Sequence, residues 1–249
     1  MRCSERFRYV HRLQRPHYQT EAIPICNYIK RIYTMELKGK KIVVLGDSIT
    51  QGIGVEKEEN FFTNRLAKMG ECTVINHGIG GTRMAKQTNR YTPEFDDHDF
   101  TIRVEKLEED ADIVIVFGGT NDFGHGDAPL GDPYNRDPYT FYGALHQIMT
   151  RLYDRFPGKT AVIMTPIHRV DEYRFYPDGN LRRQLKTYVN IIREMAERYS
   201  LPLLDMYASS GIQPEVDSFR EAYCPDGIHP NDAGHEIIAN KVYAFLKAL

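Results

Sequence analysis

Residues 41–50 read KIVVLGDSIT. Ile42, Val43, Val44 and Leu45 are apolar without a break, and three of the four are β-branched. Near-continuous apolarity over so short a run marks a strand buried on both faces, as in a parallel sheet covered by helices. The run ends at Gly46, and the residues after it are small and polar. The same pattern recurs along the chain, in TVIN (73–76), IVIVFG (113–118), AVIMT (161–165) and PLLDM (202–206). Pro202 lacks a backbone N–H, which confines the last run to the start of a strand. Between the runs the apolar spacing is helical. A helix is predicted over Asn60–Met69. Another follows Asp137-Pro138, which reads as an N-cap with proline at the first helical position, and it stops at Pro157-Gly158. Further helices are predicted over Leu181–Tyr199 and Asn231–Leu249. This alternation predicts a three-layer α/β/α domain around a parallel five-stranded sheet.

The bulk numbers agree with one such domain. The chain has 249 residues, 41% hydrophobic and 27% charged, with a net charge of −2. That balance offers no global electrostatic attraction for nucleic acid or an anionic membrane. No apolar run approaches the ~18 residues a membrane span needs. Residues 1–34 differ, with seven Lys/Arg against two acids and no clear period. They read as a basic extension ahead of a domain at 35–249. Three accounts of them stand: an upstream extension with Met35 as the natural start, a weakly ordered basic arm, or an Arg-rich targeting peptide. Cys3, Cys26, Cys72 and Cys224 form no CxxC pair and match no zinc spacing, so reduced thiols and a cytoplasmic location are expected. The oligomeric state is not legible.

Open parallel sheets place their sites at the carboxyl ends of the strands. After the first strand come Gly46-Asp47-Ser48-Ile49-Thr50. After the second come Asn76-His77-Gly78-Ile79-Gly80-Gly81-Thr82. After the third come Gly118-Gly119-Thr120-Asn121-Asp122. Before the last helix come Asp226-Gly227-Ile228-His229-Pro230-Asn231. A hydrolytic serine needs a base, a group that orients the base, and donors for the oxyanion. Ser48 sits where a strand turns into a helix, with its Oγ able to face a cleft. His229 is the candidate base. Asp226, three residues earlier, can bend back to the other ring nitrogen and fix the tautomer. Gly81 can offer an unobstructed N–H, Asn121 a side-chain amide, and Ser48 its own N–H.

GDSIT, the glycine of GIGGT, GGTND and DGIHPND stand in the order of the four sequence blocks of the SGNH hydrolases, the GDSL-type esterases and lipases, which this sequence resembles from Lys41 to about Leu249. The resemblance implies a flavodoxin-like sheet, Ser48, Gly81, Asn121 and His229 as the four named residues, and Asp226 completing the triad. It differs in reading GDSIT where the family name says GDSL, a change that alters no chemistry. The expected reaction is hydrolysis of a carboxylic ester through an acyl-enzyme. The expected substrate is a small-molecule ester, a short acyl group such as acetyl on a carbohydrate or other polar alcohol. No cofactor and no metal are called for: His229 and His235 are six positions apart, which puts them on different faces of a helix. GIGGT is neither GxGxxG nor GxxxxGK, so it is no nucleotide cradle. The alternatives are a non-catalytic SGNH-fold protein that binds a carbohydrate or a partner, and an acyltransferase. The segment Phe123–Asp137 is polar, with Tyr134 and Tyr139 nearby, and is expected to form a rim of the cleft. His168-Arg169 follows the AVIMT strand and is expected in a solvated loop, with a place in the lining of the cleft as the alternative.

Overall fold

The computed structural model describes residues 34–88, 98–177, 179 and 181–249. The chain divides into two units, Met1–Thr34 and Met35–Leu249. The predicted basic extension lies outside the described residues except for Thr34, as do Cys3 and Cys26. The second unit holds every element and site residue named below.

Strands β1 (Lys41–Gly46), β2 (Thr73–Gly78), β3 (Ile113–Phe117), β4 (Thr160–Met164) and β7 (Leu203–Leu204) form one five-stranded sheet in the order β2-β1-β3-β4-β7. Every pairing in it is parallel. The apolar runs are buried on both faces as their composition requires. Val43, Leu45, Val114 and Val116 point into one core with helices α5 (Phe141–Arg155) and α6 (Leu185–Arg198). Ile42, Val44, Ile113 and Ile115 point into the other with α2 (Phe62–Gly70) and α9 (Asp232–Ala248). This is the three-layer arrangement expected, with the flavodoxin-type strand order. The short helices α1 (Ser48–Gln51), α3 (Phe100–Arg103), α4 (Thr120–His125), α7 (Met206–Ser209) and α8 (Asp217–Tyr223) occupy loops. Among the described residues no helix is long and apolar enough to cross a membrane.

Three boundaries differ from the sequence reading. Helix α5 is capped by Thr140, whose hydroxyl accepts from the Gly143 N–H at 3.1 Å, and not by Asp137. The Asp137 carboxylate instead accepts from Tyr139 N–H at 3.1 Å, forming the turn before the helix. Helix α6 begins at Leu185, because Leu181–Gln184 is strand β6, paired antiparallel with β5 (Tyr173–Phe175) in a hairpin. The last strand is only two residues long, and Asp205 caps α7 immediately after it.

His235, on the first turn of α9, is fully buried between the two halves of one helical layer. Its Nδ1 accepts from the Phe62 N–H at 3.0 Å, and its Nε2 has no hydrogen-bond partner among the described residues. Burial, foremost, lowers its pKa from 6.5 to about 4. The unfolded chain therefore takes up a proton on this ring between those values and the folded chain does not. Stability from the neutral ring is complete above 6.5 and is lost as pH falls toward 4. Asp47 and Asp122, whose pKa values burial raises, act in the opposite sense, so the effect is read as a difference. A His235→Asn variant keeps an acceptor for Phe62. The stability advantage of wild type over it, from urea midpoints, is expected to shrink by about 3 kcal/mol between neutral pH and pH about 4. A constant gap would show that the ring does not titrate with folding.

Candidate active site

Registers place the ends of β2, β1 and β3 level, with Gly46 opposite both Gly78 and Phe117. Ser48, Gly81 and Asn121 thus leave three adjacent strands within a few residues of the same edge. Asp47 caps α1 by accepting from the Ile49 N–H at 3.0 Å, which starts the helix at Ser48. Ser48 is 4% exposed, so its hydroxyl is withdrawn from bulk water. Its N–H stands at the first helical position, where the helix supplies no acceptor.

The Ser48 Oγ lies 3.0 Å from His229 Nε2, joining positions 181 residues apart. His229 Nδ1 lies 2.6 Å from Asp226 Oδ2. The other Asp226 oxygen accepts from the N–H groups of Ile228 (2.8 Å) and His229 (2.7 Å). Burial works to raise the Asp226 pKa, but the His229 N–H, the His229 ring and the Ile228 N–H outweigh it, so the pKa lies below the ordinary carboxylate value. The carboxylate is therefore held ionised facing the ring. The loop is local: Gly227 takes φ +79°, and α9 begins directly after the loop with Asn231 as its cap.

The glycines of the second block separate by what their N–H groups do. The Gly78 N–H goes to Asn76 Oδ1 at 2.8 Å and the Gly80 N–H to Gln51 Oε1 at 2.7 Å. The Gly81 N–H donates to no described residue. Gly81 has φ +74°, a conformation that disfavours a side chain. Gly78 is required for another reason: a Cβ there would lie 2.1 Å from the Gln51 nitrogen, so only glycine lets β2 approach the backbone of α1. Asn121 is 8% exposed and donates one amide hydrogen to the Thr82 carbonyl at 2.9 Å. Its Oδ1 faces His125 Nε2 at 3.2 Å. That fixes which way the amide points and leaves its second hydrogen without a described acceptor.

Beneath these groups lies a buried polar layer that the sequence reading did not find. Arg103, 5% exposed, donates to Thr82 Oγ1 at 2.9 Å and to the His77 carbonyl, bracing the loop that carries Gly81. Burial lowers its pKa to about 10 against the opposing charges of Asp47 and Asp99. Asp122 accepts from the Met84 and Ala85 N–H groups at 2.9 and 3.0 Å. Burial pushes both Asp47 and Asp122 up to about 6. Arg103 sits among Phe100, Thr101 and Val104, a stretch with no motif, so nothing in the sequence marked it. His125 was legible in principle, being one helical turn from Asn121.

Two expectations need correction. Arg169 is 7% exposed, packed over Phe123 and near Thr120 Oγ1 (3.3 Å), and not in a solvated loop. Beside it His168 Nδ1 meets Glu172 Oε1 at 2.7 Å, and Tyr207 donates to Glu172 Oε2 at 2.6 Å. The segment Phe123–Asp137 is not the rim expected as a whole: Phe123, its first residue, is fully buried in the core. Tyr134 stacks against Arg198 at the C-terminal end of α6, the end that leads back to the base of the sheet.

The model of the GDSL-like Lipase/Acylhydrolase family matches residues 44–237. A curated acetylxylan esterase from Xylanibacter ruminicola is 23% identical over 241 residues, covering 89% of this chain and 46% of that protein. The chain thus spans about half the length of that relative. A solved structure from Lactobacillus plantarum is 30% identical, covers 84% of this chain and 97% of its own, and superposes with a TM-score of 0.71. An acetyl-xylooligosaccharide esterase variant from Geobacillus stearothermophilus shares the fold, with 20% identity, coverage of 85% and 96%, and a TM-score of 0.54.

Proposed function

The chain belongs to the GDSL-like lipase/acylhydrolase family, and on that premise we propose that it is a serine esterase with Ser48 as nucleophile. The relay Ser48 Oγ to His229 Nε2 (3.0 Å) to Asp226 (2.6 Å) carries this reading. His229 takes the Ser48 proton as Oγ attacks the ester carbonyl. The charge that develops on the carbonyl oxygen is received by the N–H groups of Ser48 and Gly81 and the free amide hydrogen of Asn121. His229 then protonates the departing alcohol, and water repeats the sequence on the acyl-enzyme.

The substrate assigned is a short acyl ester, acetyl in the first place, on a carbohydrate or similar polar alcohol. Support comes from the name of the curated relative, an acetylxylan esterase. The test is fluorophosphonate labelling followed by a chain-length series of nitrophenyl esters. Rapid labelling and a kcat/KM at least about 10-fold higher for acetate than for octanoate are expected. Absence of labelling would overturn the nucleophile assignment, and a preference for octanoate would overturn the short acyl group.

A further inference from the structure

The loop at 226–229 takes its shape from its own neighbourhood. Asp226 accepts from Ile228 and His229, and the Gly227 N–H donates to the Cys224 carbonyl at 2.8 Å. Such bonds fix the turn and not where it stands against Ser48. Its position is set from another strand's loop. The Val170 N–H, beyond the end of β4, donates to the Gly227 carbonyl at 2.9 Å. The Val170 side chain lies against the same residue: a Cβ on Gly227 would stand 2.5 Å from Val170 Cγ2. Gly227 is therefore required twice, by its φ of +79° and by the close approach of Val170.

Residues 168–172 belong to no strand or helix, so Val170 needs another support. Glu172, 7% exposed, supplies it. Its Oε1 meets His168 Nδ1 at 2.7 Å and accepts from the Arg169 N–H at 3.2 Å. Its Oε2 accepts from the Tyr207 hydroxyl at 2.6 Å. Its backbone carbonyl accepts from the Leu185 N–H, at the start of α6. The His168 and Tyr207 ring centres lie 3.9 Å apart and close the cluster. Tyr207 belongs to α7, and its own N–H donates to Thr165 Oγ1 at 2.9 Å. The turn runs through Asp171 at φ +57°, a left-handed conformation that persists outside glycine where contacts on both sides hold it. Burial works to raise the Glu172 pKa, but His168, Tyr207 and the Arg169 N–H outweigh it, so the pKa lies below the ordinary carboxylate value. A buried carboxylate is tolerated only with such partners, and these partners all fix the one loop that reaches Gly227.

We propose that Glu172 is a positioning residue of the reaction: it fixes the loop at 168–172, and through Val170 it holds the loop of Asp226 and His229 in place against Ser48. The proposal rests on the esterase reading of Ser48, and its test separates the two. The test is a double-mutant cycle on nitrophenyl acetate, corrected for the Ser48→Ala rate, with thermal midpoints and fluorophosphonate labelling on the same preparations. Glu172→Ala is expected to lower kcat by about 10- to 100-fold with KM little changed, because a small misplacement of the relay slows the chemical step. Glu172→Gln keeps an oxygen for the Arg169 N–H and is expected to recover most of that loss. In an Asp226→Asn background Glu172→Ala should lower kcat by less than about 2-fold, while it lowers the thermal midpoint as much as in wild type. A role in stability alone predicts a midpoint shift with the same fractional loss of kcat in both backgrounds, or with no loss in either. Both of those results would overturn the proposal. Should Glu172→Ala not fold, Val170→Ala and Tyr207→Phe each remove one link. Each is then expected to lower kcat by at least about 3-fold in wild type and not in the Asp226→Asn background. An unchanged kcat in both would overturn the proposal as well. A wild-type enzyme that fluorophosphonate does not label would instead overturn the esterase reading.

Discussion

Replacing Ser48 with alanine lowers kcat on nitrophenyl acetate by on the order of 10⁵-fold, with KM little changed. His229→Ala is expected to fall nearly as far, and the double variant no further than either. The reason is geometric. Ser48 Oγ and His229 Nε2, 3.0 Å apart, act on one proton, so removing either abolishes the same step. Asp226 behaves differently. Its side chain is 54% exposed, so solvent screens its charge, and its main effect is to hold the imidazole tautomer through the 2.6 Å contact. Asp226→Asn therefore keeps the shape and loses the tautomer, at a cost of up to about 10⁴-fold. The same contact sets the sign of the pH dependence. Asp226 has its pKa below the ordinary value, so it stays ionised over the working range. The proton acceptor for Ser48 must be a neutral ring, so kcat/KM is expected to fall as pH falls. A Ser48→Ala protein that retains half the wild-type rate, or a pH profile without an acid limb, would remove this relay from the mechanism.

The parts of the fold that could be read in advance are those whose cause is local. Ile42 to Leu45 and Ile113 to Val116 declare buried strands because every residue is apolar, whatever they pair with. Asp226 and His229 are legible together because three residues suffice to close the contact. Leu181–Gln184 was misread as helix because Leu181 and Leu185 continue the spacing of Val189 and Ile192. What makes it a strand is pairing with Tyr173–Phe175, a non-local contact that local periodicity does not encode. Arg169 misled for a related reason. A charged residue after a strand suggests solvent, yet Thr120 and Phe123, which cover it, arrive from the neighbouring strand's loop. Arg103 belongs to the same class, since its partners at Thr82 and His77 lie more than twenty residues away. The functional side chains were legible by type and order, but the layer that braces them was not, because it is assembled by tertiary contact.

Asn121→Ala is expected to lower kcat by on the order of 10²- to 10³-fold, with a much smaller change in KM. An oxyanion donor gains strength only as negative charge builds on the carbonyl oxygen, so its loss appears in turnover and hardly in ground-state binding. The competing account is structural. The same amide holds the Thr82 carbonyl at 2.9 Å, so alanine also leaves a buried acceptor unpaired and loosens the loop bearing Gly81. Two further variants separate these effects. His125→Ala removes the contact that orients the amide from its oxygen side, 3.2 Å away, together with the 3.1 Å contact to Arg83, but leaves both amide hydrogens, and should cost much less than Asn121→Ala. Asn121→Asp keeps the shape but replaces the donor with an oxygen, and any charge it carries repels the forming oxyanion, so its loss should be at least as large as alanine's. If aspartate were tolerated while alanine was not, neither amide hydrogen would be needed, and the side chain would serve by its shape and not as a donor to the oxyanion or to Thr82. An unchanged kcat in both, with a thermal midpoint like wild type, would take Asn121 out of the oxyanion site and leave the N–H groups of Ser48 and Gly81 to hold the charge.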